Sequence, residues 1–205
     1  MSYHLTVSDE WSSVHPEDLW VYNKLQLSQV LGYTCGPAGL EVPEPGFYIV
    51  RPSINFMGMG RYSRKEKIKK DTEHLHPGTF WCEVFEGEHL SVDFQNKKPK
   101  LVVRGIKSEE DKLYRWSRWE VVETIVELPE VLNDIATRYE WINCEFIGGK
   151  LIEVHFRRNP DFRYNNTIAI PVWKDQKVPE LDESSGMYYI EDKDYRRQGF
   201  IVNGK

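Results

Sequence analysis

The sequence is poor in cysteine and has no long apolar run. Its 205 residues include three cysteines, far apart and without a Cys-x-x-Cys pair, which excludes a disulfide framework and a cysteine-based zinc site. No apolar run approaches the ~20 residues that a membrane-spanning helix needs. The first residues also lack the charged and then apolar pattern of a secretion signal, so we expect a cytoplasmic protein with no membrane partner.

The chain has no excess of positive charge. Its 27 Lys and Arg against 32 Asp and Glu give a net charge of −5, which makes nucleic acid an unlikely partner. Hydrophobic residues make up 40% of the chain and charged residues 29%, which excludes disorder as a description of the whole. The length predicts one large domain or two small lobes that share a core.

The order of elements favours an α+β fold with antiparallel sheets. Helical patterns cover roughly 16–31 and 127–140. Strand patterns cover 47–52, 79–85, 89–94, 100–106, 141–147 and 150–156. The last two strands flank Gly148-Gly149, which is typical of a tight hairpin. The last 35 residues are acidic and aromatic and show no clear periodicity.

The hairpin over 141–156 carries the clearest candidates for chemistry. Strand alternation places Glu153 and His155 on one face of the second arm, while Glu145 lies on the first arm. Because the arms of a hairpin are ~5 Å apart, two carboxylates and an imidazole can converge there. Carboxylate oxygens are ligands that Mg²⁺ prefers. The alternative is a surface hairpin whose polar face is merely solvated.

The segment EFIGGKLIEVH resembles the metal-binding hairpin of the ATP-grasp superfamily, with the spacing of the bacterial glutathione synthetase branch. The resemblance implies that Glu145 and Glu153 are magnesium ligands. His155 stands where that family has Asn and is the third candidate metal ligand, although imidazole prefers softer ions than Mg²⁺. Mn²⁺ and a Mg²⁺ site with two carboxylates are therefore both open as the metal cofactor.

Two earlier segments resemble the phosphate-binding parts of the same family. YNKLQL places Lys24 at the position of the first ATP lysine, and GYTCGPAG resembles the loop that follows it. YIVRPSINFMGMG is similar to the strand and glycine-rich loop that cover the ATP phosphates, which implies nucleotide contacts at Gly58 and Gly60. Arg51 replaces the usual lysine there, and the planar guanidinium is not equivalent to a lysine point charge.

The segment WCEVFEGEHLSVDF resembles the adenine hinge of the family and the strand after it. The resemblance implies backbone contacts to adenine at Glu83, Val84 and Phe85, and a ribose contact at Glu88. Arg104, in VVRGIK, matches an arginine that contacts the terminal phosphate and the acylphosphate.

The resemblance implies an ATP-grasp fold in which two α+β lobes with antiparallel sheets enclose the nucleotide. It divides the chain into an N-terminal extension (1–16), a lid lobe (17–84), a large lobe with the metal hairpin (85–170) and a C-terminal extension (171–205). We expect the last segment to wrap the outside. Since only about sixteen residues precede the first motif, we expect a short form that lacks the family's N-terminal substrate domain.

The implied activity is that of an ATP-dependent carboxylate–amine or carboxylate–thiol ligase that acts through an acylphosphate. Arg104 and Arg157 are the candidate catalytic residues, and Arg158 and Asn159 are further candidates for gripping a substrate carboxylate. The partners are small-molecule or peptide carboxylates and amines, with an acceptor site that a partner subunit could supply. The alternatives are a non-catalytic nucleotide-binding module and a structural protein on a decayed fold.

The two hairpin carboxylates carry one further expectation. Like charges aimed at one point repel each other, so without metal we expect strain between Glu145 and Glu153. Replacing Glu153 by Gln would then leave the stability of the metal-free protein unchanged or raised.

Overall fold

The computed structural model describes residues 12–54, 60, 62–108, 113, 115–192 and 197–204. These residues form two antiparallel sheets, with order β1-β4-β2-β3 and β11-β12-β10-β7-β6-β5-β8-β9. The strands are β1 (Cys35–Pro37), β2 (Gly46–Pro52), β3 (Arg64–Ile68), β4 (Thr79–Glu83), β5 (His89–Gln95), β6 (Lys98–Lys107), β7 (Trp116–Val121), β8 (Trp141–Ile147), β9 (Lys150–His155), β10 (Ile168–Trp173), β11 (Met187–Glu191) and β12 (Arg197–Asn203). Within the described ranges, no helix is long and apolar enough to cross a membrane.

Three clusters of buried side chains stabilise the two sheets. The four-stranded sheet packs on its own small cluster, which includes Val50 and Trp81. The eight-stranded sheet has a large cluster on one face, to which the N-terminal helical segments contribute Leu27. Its other face has a smaller cluster around Val103 and Val202. The N-terminal segment therefore packs on the large sheet.

The predicted N-terminal helix is divided in two at Asn23. A 3₁₀ helix covers Pro16–Tyr22, and the α-helix α1 covers Lys24–Val30. The Asn23 backbone is extended and its side chain accepts a hydrogen bond from the Gln26 N–H at 3.2 Å, which caps α1. The break brings Lys24 to the first position of α1, where its backbone N–H donates to the Ser53 carbonyl at 2.7 Å.

The predicted helix over 127–140 is wrong. The structure has short 3₁₀ turns at Glu130–Leu132 and Ile135–Thr137. Asn133 and Asp134 are weak helix formers, and the Thr137 hydroxyl donates to the Asp134 carbonyl at 2.6 Å, which competes with helical bonding. Leu132, Ile135 and Ala136 are buried in the large cluster, so tertiary packing determines this segment. Two further 3₁₀ turns cover Pro160–Phe162 and Glu183–Ser185.

The last residues do not wrap the outside, which corrects that expectation. They supply the end of β10 and all of β11 and β12, which extend the eight-stranded sheet. β11 is partly buried at four successive positions, and β10 carries a bulge after Val172, so neither strand shows clean alternation. Arg197 in β12 forms ion pairs with Asp161 at 2.6 Å and with Asp192.

The predicted hairpin of β8 and β9 is confirmed, with Glu145 directly opposite Glu153. Its turn residues Gly148 and Gly149 have φ of +55° and +78°, a conformation that glycine adopts without steric cost. The Gly148 N–H donates to the Glu88 carbonyl at 2.9 Å. The loop after β4 therefore lies directly on the hairpin turn.

Replacing Gly148 by Ala tests this contact. A Cβ there would lie 2.0 Å from the Glu86 carbonyl oxygen. The positive φ costs about 1–2 kcal/mol and the overlap about 1–3 kcal/mol more in the free energy of unfolding, measured by urea denaturation. Gly149→Ala is the matched control, because its Cβ would meet no described atom within 4 Å. Equal losses in the two variants would contradict the close contact.

Candidate functional site

The candidate site is built around β9, one of the two edge strands of the large sheet. Lys24 Nζ lies 2.9 Å from Glu153 Oε2, and the two side chains are 8% and 16% exposed. The other carboxylate oxygen, Oε1, lies 3.0 Å from His155 Nε2. His155 is buried as well, so the charged contact between Lys24 of α1 and Glu153 of β9 is largely shielded from water.

Glu145 lies on the same face of the sheet as Glu153, since directly paired residues share a face. Its Oε2 lies 3.1 Å from His89 Nε2 on the neighbouring strand β5. The His89 ring makes edge contacts with Trp116 and Trp119, whose centroids lie 4.6 Å and 5.2 Å away. These aromatic rings fix the imidazole that contacts Glu145.

The carboxylates are therefore not left to repel each other, and the expected strain in the metal-free protein is wrong. Burial alone would raise the pKa of the Glu153 carboxyl, but Lys24 and His155 lower that pKa well below its usual value. Glu153 is thus ionised near neutral pH. Substituting it by Gln would leave Lys24 buried without its carboxylate partner, which is destabilising.

Glu145 and Glu153 were predicted to be metal ligands, and the structure shows the surroundings of both carboxylates. In the described part of the chain, no group of three or more His, Cys, Asp or Glu side chains is arranged as a metal site. The donor chemistry of Glu145 and Glu153 fits a hard divalent cation, because an ionised carboxylate supplies the oxygen ligands that such ions prefer. Lys24 already contacts Glu153, so a metal would compete with an ion pair.

Arg51, in β2 of the four-stranded sheet, also contacts β9. Its Nη2 donates to the Ile152 carbonyl at 3.3 Å, and its guanidinium lies over the Phe80 ring at 5.2 Å. The side chain is buried, and nothing among the described residues accepts a hydrogen bond from its Nε. A buried cation with a spare N–H suits an anion.

The predicted adenine hinge follows β4 and reaches the hairpin turn. The Glu83 N–H donates to the Thr34 carbonyl at 2.9 Å, while the Thr34 N–H donates to Glu83 Oε1 at 2.8 Å. Val84 is half-buried, and Phe85 packs edge-on against Tyr33 at 4.8 Å. The hinge is therefore anchored to the segment that follows α1.

The glycine-rich loop is described only in part. Gly60 has φ of +59°, and its carbonyl accepts a hydrogen bond from the Ser63 N–H at 2.9 Å. Gly58, the other predicted phosphate-binding glycine, lies outside the described residues.

Arg104 is not brought to the carboxylate pair. It pairs with Leu90 in the ladder, one position away from the Ser91–Glu145 pair, and therefore lies on the opposite face of the sheet. Its guanidinium donates to Glu88 at 2.9 Å and to Glu120 at 2.7 Å. Arg104 and the predicted ribose ligand Glu88 thus contact each other.

Arg157 follows the end of β9, where its Nη1 donates to the Arg158 carbonyl at 3.2 Å. It lines a surface cavity beside the hairpin.

Sequence comparison finds no relatives: no family model and no curated protein matches the chain. Solved structures do match it. An ATP-grasp superfamily protein from Archaeoglobus fulgidus aligns over 91% of this chain at 15% identity, with a TM-score of 0.49. An L-amino acid ligase from Bacillus licheniformis aligns over 91% of this chain and 67% of its own at 10% identity, with a TM-score of 0.54. The chain has the ATP-grasp fold.

The α+β ATP-grasp architecture expected from the sequence is thereby confirmed. The ATP-grasp ligase PsnB, solved with its minimal precursor, Mg and ADP, aligns over 77% of this chain at 13% identity, with a TM-score of 0.46. The chain spans 58% of that PsnB chain and 65% of the Archaeoglobus chain.

A buried polar network in this ATP-grasp fold was missed by sequence reasoning. Asn143 Nδ2 donates to Ser91 Oγ at 2.8 Å and to Asp93 Oδ1 at 2.9 Å. Asp93 also accepts the Asn159 N–H, at 2.8 Å and 3.1 Å to its two oxygens. Burial raises the pKa of Asp93, while these donors oppose the shift. The sequence signal for this network was the pair Ser91 and Asp93, two polar residues that share one face of the otherwise apolar strand β5.

The Lys24–Glu153 pair can be tested by Lys24→Met. Because this change leaves a largely buried carboxylate without its cation, we expect a loss of about 3 kcal/mol in the free energy of unfolding. The double variant Lys24→Met/Glu153→Gln should lose less than the sum of the single changes, which a double-mutant cycle measures.

The pH dependence and a matched control complete this test. The pKa of Glu153 is lower in the folded state than in the unfolded state. The stabilisation that its ion pair gives is therefore present above the unfolded pKa of about 4.3, and it is lost as the pH falls through the folded-state pKa. Lys24→Met should reduce that acid sensitivity. Lys70→Met is the control, because its pair with Glu41 is exposed and contributes at most about 1 kcal/mol. Equal losses of stability in Lys24→Met and Lys70→Met would refute the assignment of Lys24 and Glu153 as a stabilising buried ion pair.

Proposed function

We propose that this chain binds an adenine nucleotide between its two sheets, with the phosphates at Lys24 and Arg51. The observation that carries the proposal is that Lys24 from α1 and Arg51 from the small sheet both contact β9, within one ATP-grasp fold. Two cations that contact neighbouring residues of one strand, Ile152 and Glu153, suit the adjacent charges of a polyphosphate. The adenine would lie at the hinge formed by Glu83, Val84 and Phe85.

A divalent ion, Mg²⁺ or Mn²⁺, would accompany the nucleotide. Glu145 and Glu153 would hold it, once the phosphates draw Lys24 away from Glu153. When bound, such an ion neutralises charge that develops on a transferred phosphoryl group. The role of the chain's own residues is to keep Glu153 ionised and to hold both carboxylates on the same face of the sheet.

The proposed activity is ligation of a carboxylate to an amine or thiol. The carboxylate oxygen attacks the γ-phosphorus of ATP, which releases ADP and gives an acylphosphate. The amine or thiol then attacks the acyl carbon, which expels inorganic phosphate. Lys24 and Arg51 would stabilise the phosphate charge during the first step. Arg157 lies beyond the end of β9 and is the candidate for binding the carboxylate substrate.

The second candidate function is a non-catalytic nucleotide-binding subunit. The position of Arg104 favours it, since this predicted catalytic arginine lies on the opposite face of the sheet and contacts Glu88 and Glu120. In that case a partner subunit would supply the acceptor site.

Nucleotide binding is tested by calorimetry with ATP and Mg²⁺. We expect saturable binding that EDTA weakens, and a gain of about 2.7 kcal/mol in the free energy of unfolding at a hundredfold excess over the dissociation constant. Arg51→Lys keeps the charge but loses the planar fork, so its affinity for ATP should fall about tenfold. Lys70→Gln, which removes an exposed charge of the same sheet region, should bind ATP normally. Absence of ATP binding would refute the proposal.

Release of ADP separates the ligase from the binding subunit. With ATP, Mg²⁺ or Mn²⁺ and a panel of amino acids and peptides, a ligase should form ADP and phosphate only with particular carboxylates. Glu145→Gln should lower that turnover by about a hundredfold or more, because it removes one of the two proposed ligands of the divalent ion. If ATP binds but no carboxylate yields ADP, the binding-subunit function is supported instead.

A further inference from the structure

A cavity of about 470 Å³ lies at the open end of the β8–β9 hairpin, opposite the glycine turn. Trp141 begins β8, and Phe156 follows the end of β9. Tyr139 stacks on Phe156 with ring centroids 3.9 Å apart, which gives the cavity a flat aromatic wall. Its volume is in the range of ligand-binding pockets.

The charge of this cavity is predominantly positive. Arg157, Arg158 and Arg163 line it, together with a single acid, Glu140. Glu140 Oε1 accepts a hydrogen bond from Gln95 Nε2 at 2.9 Å. In the described ranges, neither Arg158 nor Arg163 forms an ion pair, so both guanidinium groups retain bidentate capacity for a carboxylate.

The arginine segment is held in place by the buried network. Both Asp93 oxygens accept the Asn159 N–H, and Asn159 Nδ2 donates to Ser91 Oγ at 3.1 Å. The Arg158 guanidinium lies over the Trp141 ring at 4.6 Å, a cation–π contact. The backbone that presents Arg157 and Arg158 is therefore fixed on both sides, and less conformational entropy is lost on binding.

The distance between the cavity and the Glu145–Glu153 pair is large compared with the length of a small substrate. Trp141 lies four residues before Glu145 in β8, which corresponds to about 14 Å along the strand. An extended peptide covers that distance with about four residues. Phe156 lies three residues after Glu153, about 10 Å along the chain, so a peptide of a few residues suits contact with both places better than a single amino acid does.

We propose that the cavity binds the distal carboxylates of an extended acidic peptide substrate. The reacting carboxylate of this substrate would lie at the Glu145–Glu153 end of the hairpin, and that part rests on the proposed function. Arg158 and Arg163 do not take part in the chemistry. They select a substrate that carries clustered acidic side chains beyond the reacting group.

The experiment measures binding of hexaglutamate to the full chain without nucleotide, by calorimetry. We expect saturable binding that weakens between about 0.01 M and about 0.15 M ionic strength. Arg158→Gln and Arg163→Gln should each lower the affinity about fivefold, while Lys70→Gln should change it less than twofold. Hexaglutamine should not bind. Both arginines are exposed, and thermal melting verifies that the variants fold.

Three outcomes would overturn the inference. The first is absence of hexaglutamate binding, and the second is binding that neither arginine change weakens. The third is equally tight binding of inorganic phosphate at the same arginines, which would assign the cavity to phosphate. Calorimetry with ATP is independent of all three, so normal ATP binding alongside any of them leaves the proposed function intact and removes only the substrate class.

Discussion

The ion pair between Lys24 and Glu153 is the contact on which the arrangement of the candidate site depends. Lys24 is the first residue of α1, and its backbone N–H also donates to Ser53, just after β2. One residue therefore joins the N-terminal helix, the small sheet and the edge strand of the large sheet. Because both charged groups are largely buried, each needs the other in the absence of a ligand. In the proposed function, the phosphates of the nucleotide replace Glu153 as the partner of Lys24.

Local patterns predicted a good part of the fold. Alternation and the Gly148-Gly149 turn gave the correct hairpin, because the pairing next to a two-residue turn is determined by residues close in sequence. They did not give the bulge in β9 that skips Ile152: a plain two-residue hairpin would pair Glu145 with Ile152, and the bulge instead places Glu145 opposite Glu153. Strands with clear apolar alternation, such as β5, were also located from the sequence alone.

The remaining features depend on contacts between distant residues. The segment 127–140 lacks a regular helix because its apolar residues fill a core formed by other strands. The partner of Glu153 comes from residue 24, and the polar network joins Asp93 to Asn159, so neither was visible in a local window. The side of the sheet on which Arg104 lies follows from its pairing with Leu90, and a motif match does not contain that information.

The contact of Arg51 with β9 is made to a main-chain carbonyl, that of Ile152. Every amino acid supplies this acceptor, so substitution of Ile152 by another apolar residue that fits its buried place leaves the acceptor present. Most substitutions of Arg51, by contrast, remove the donor. The junction between the two sheets is thus asymmetric, since its acceptor belongs to the main chain and its donor to one particular side chain.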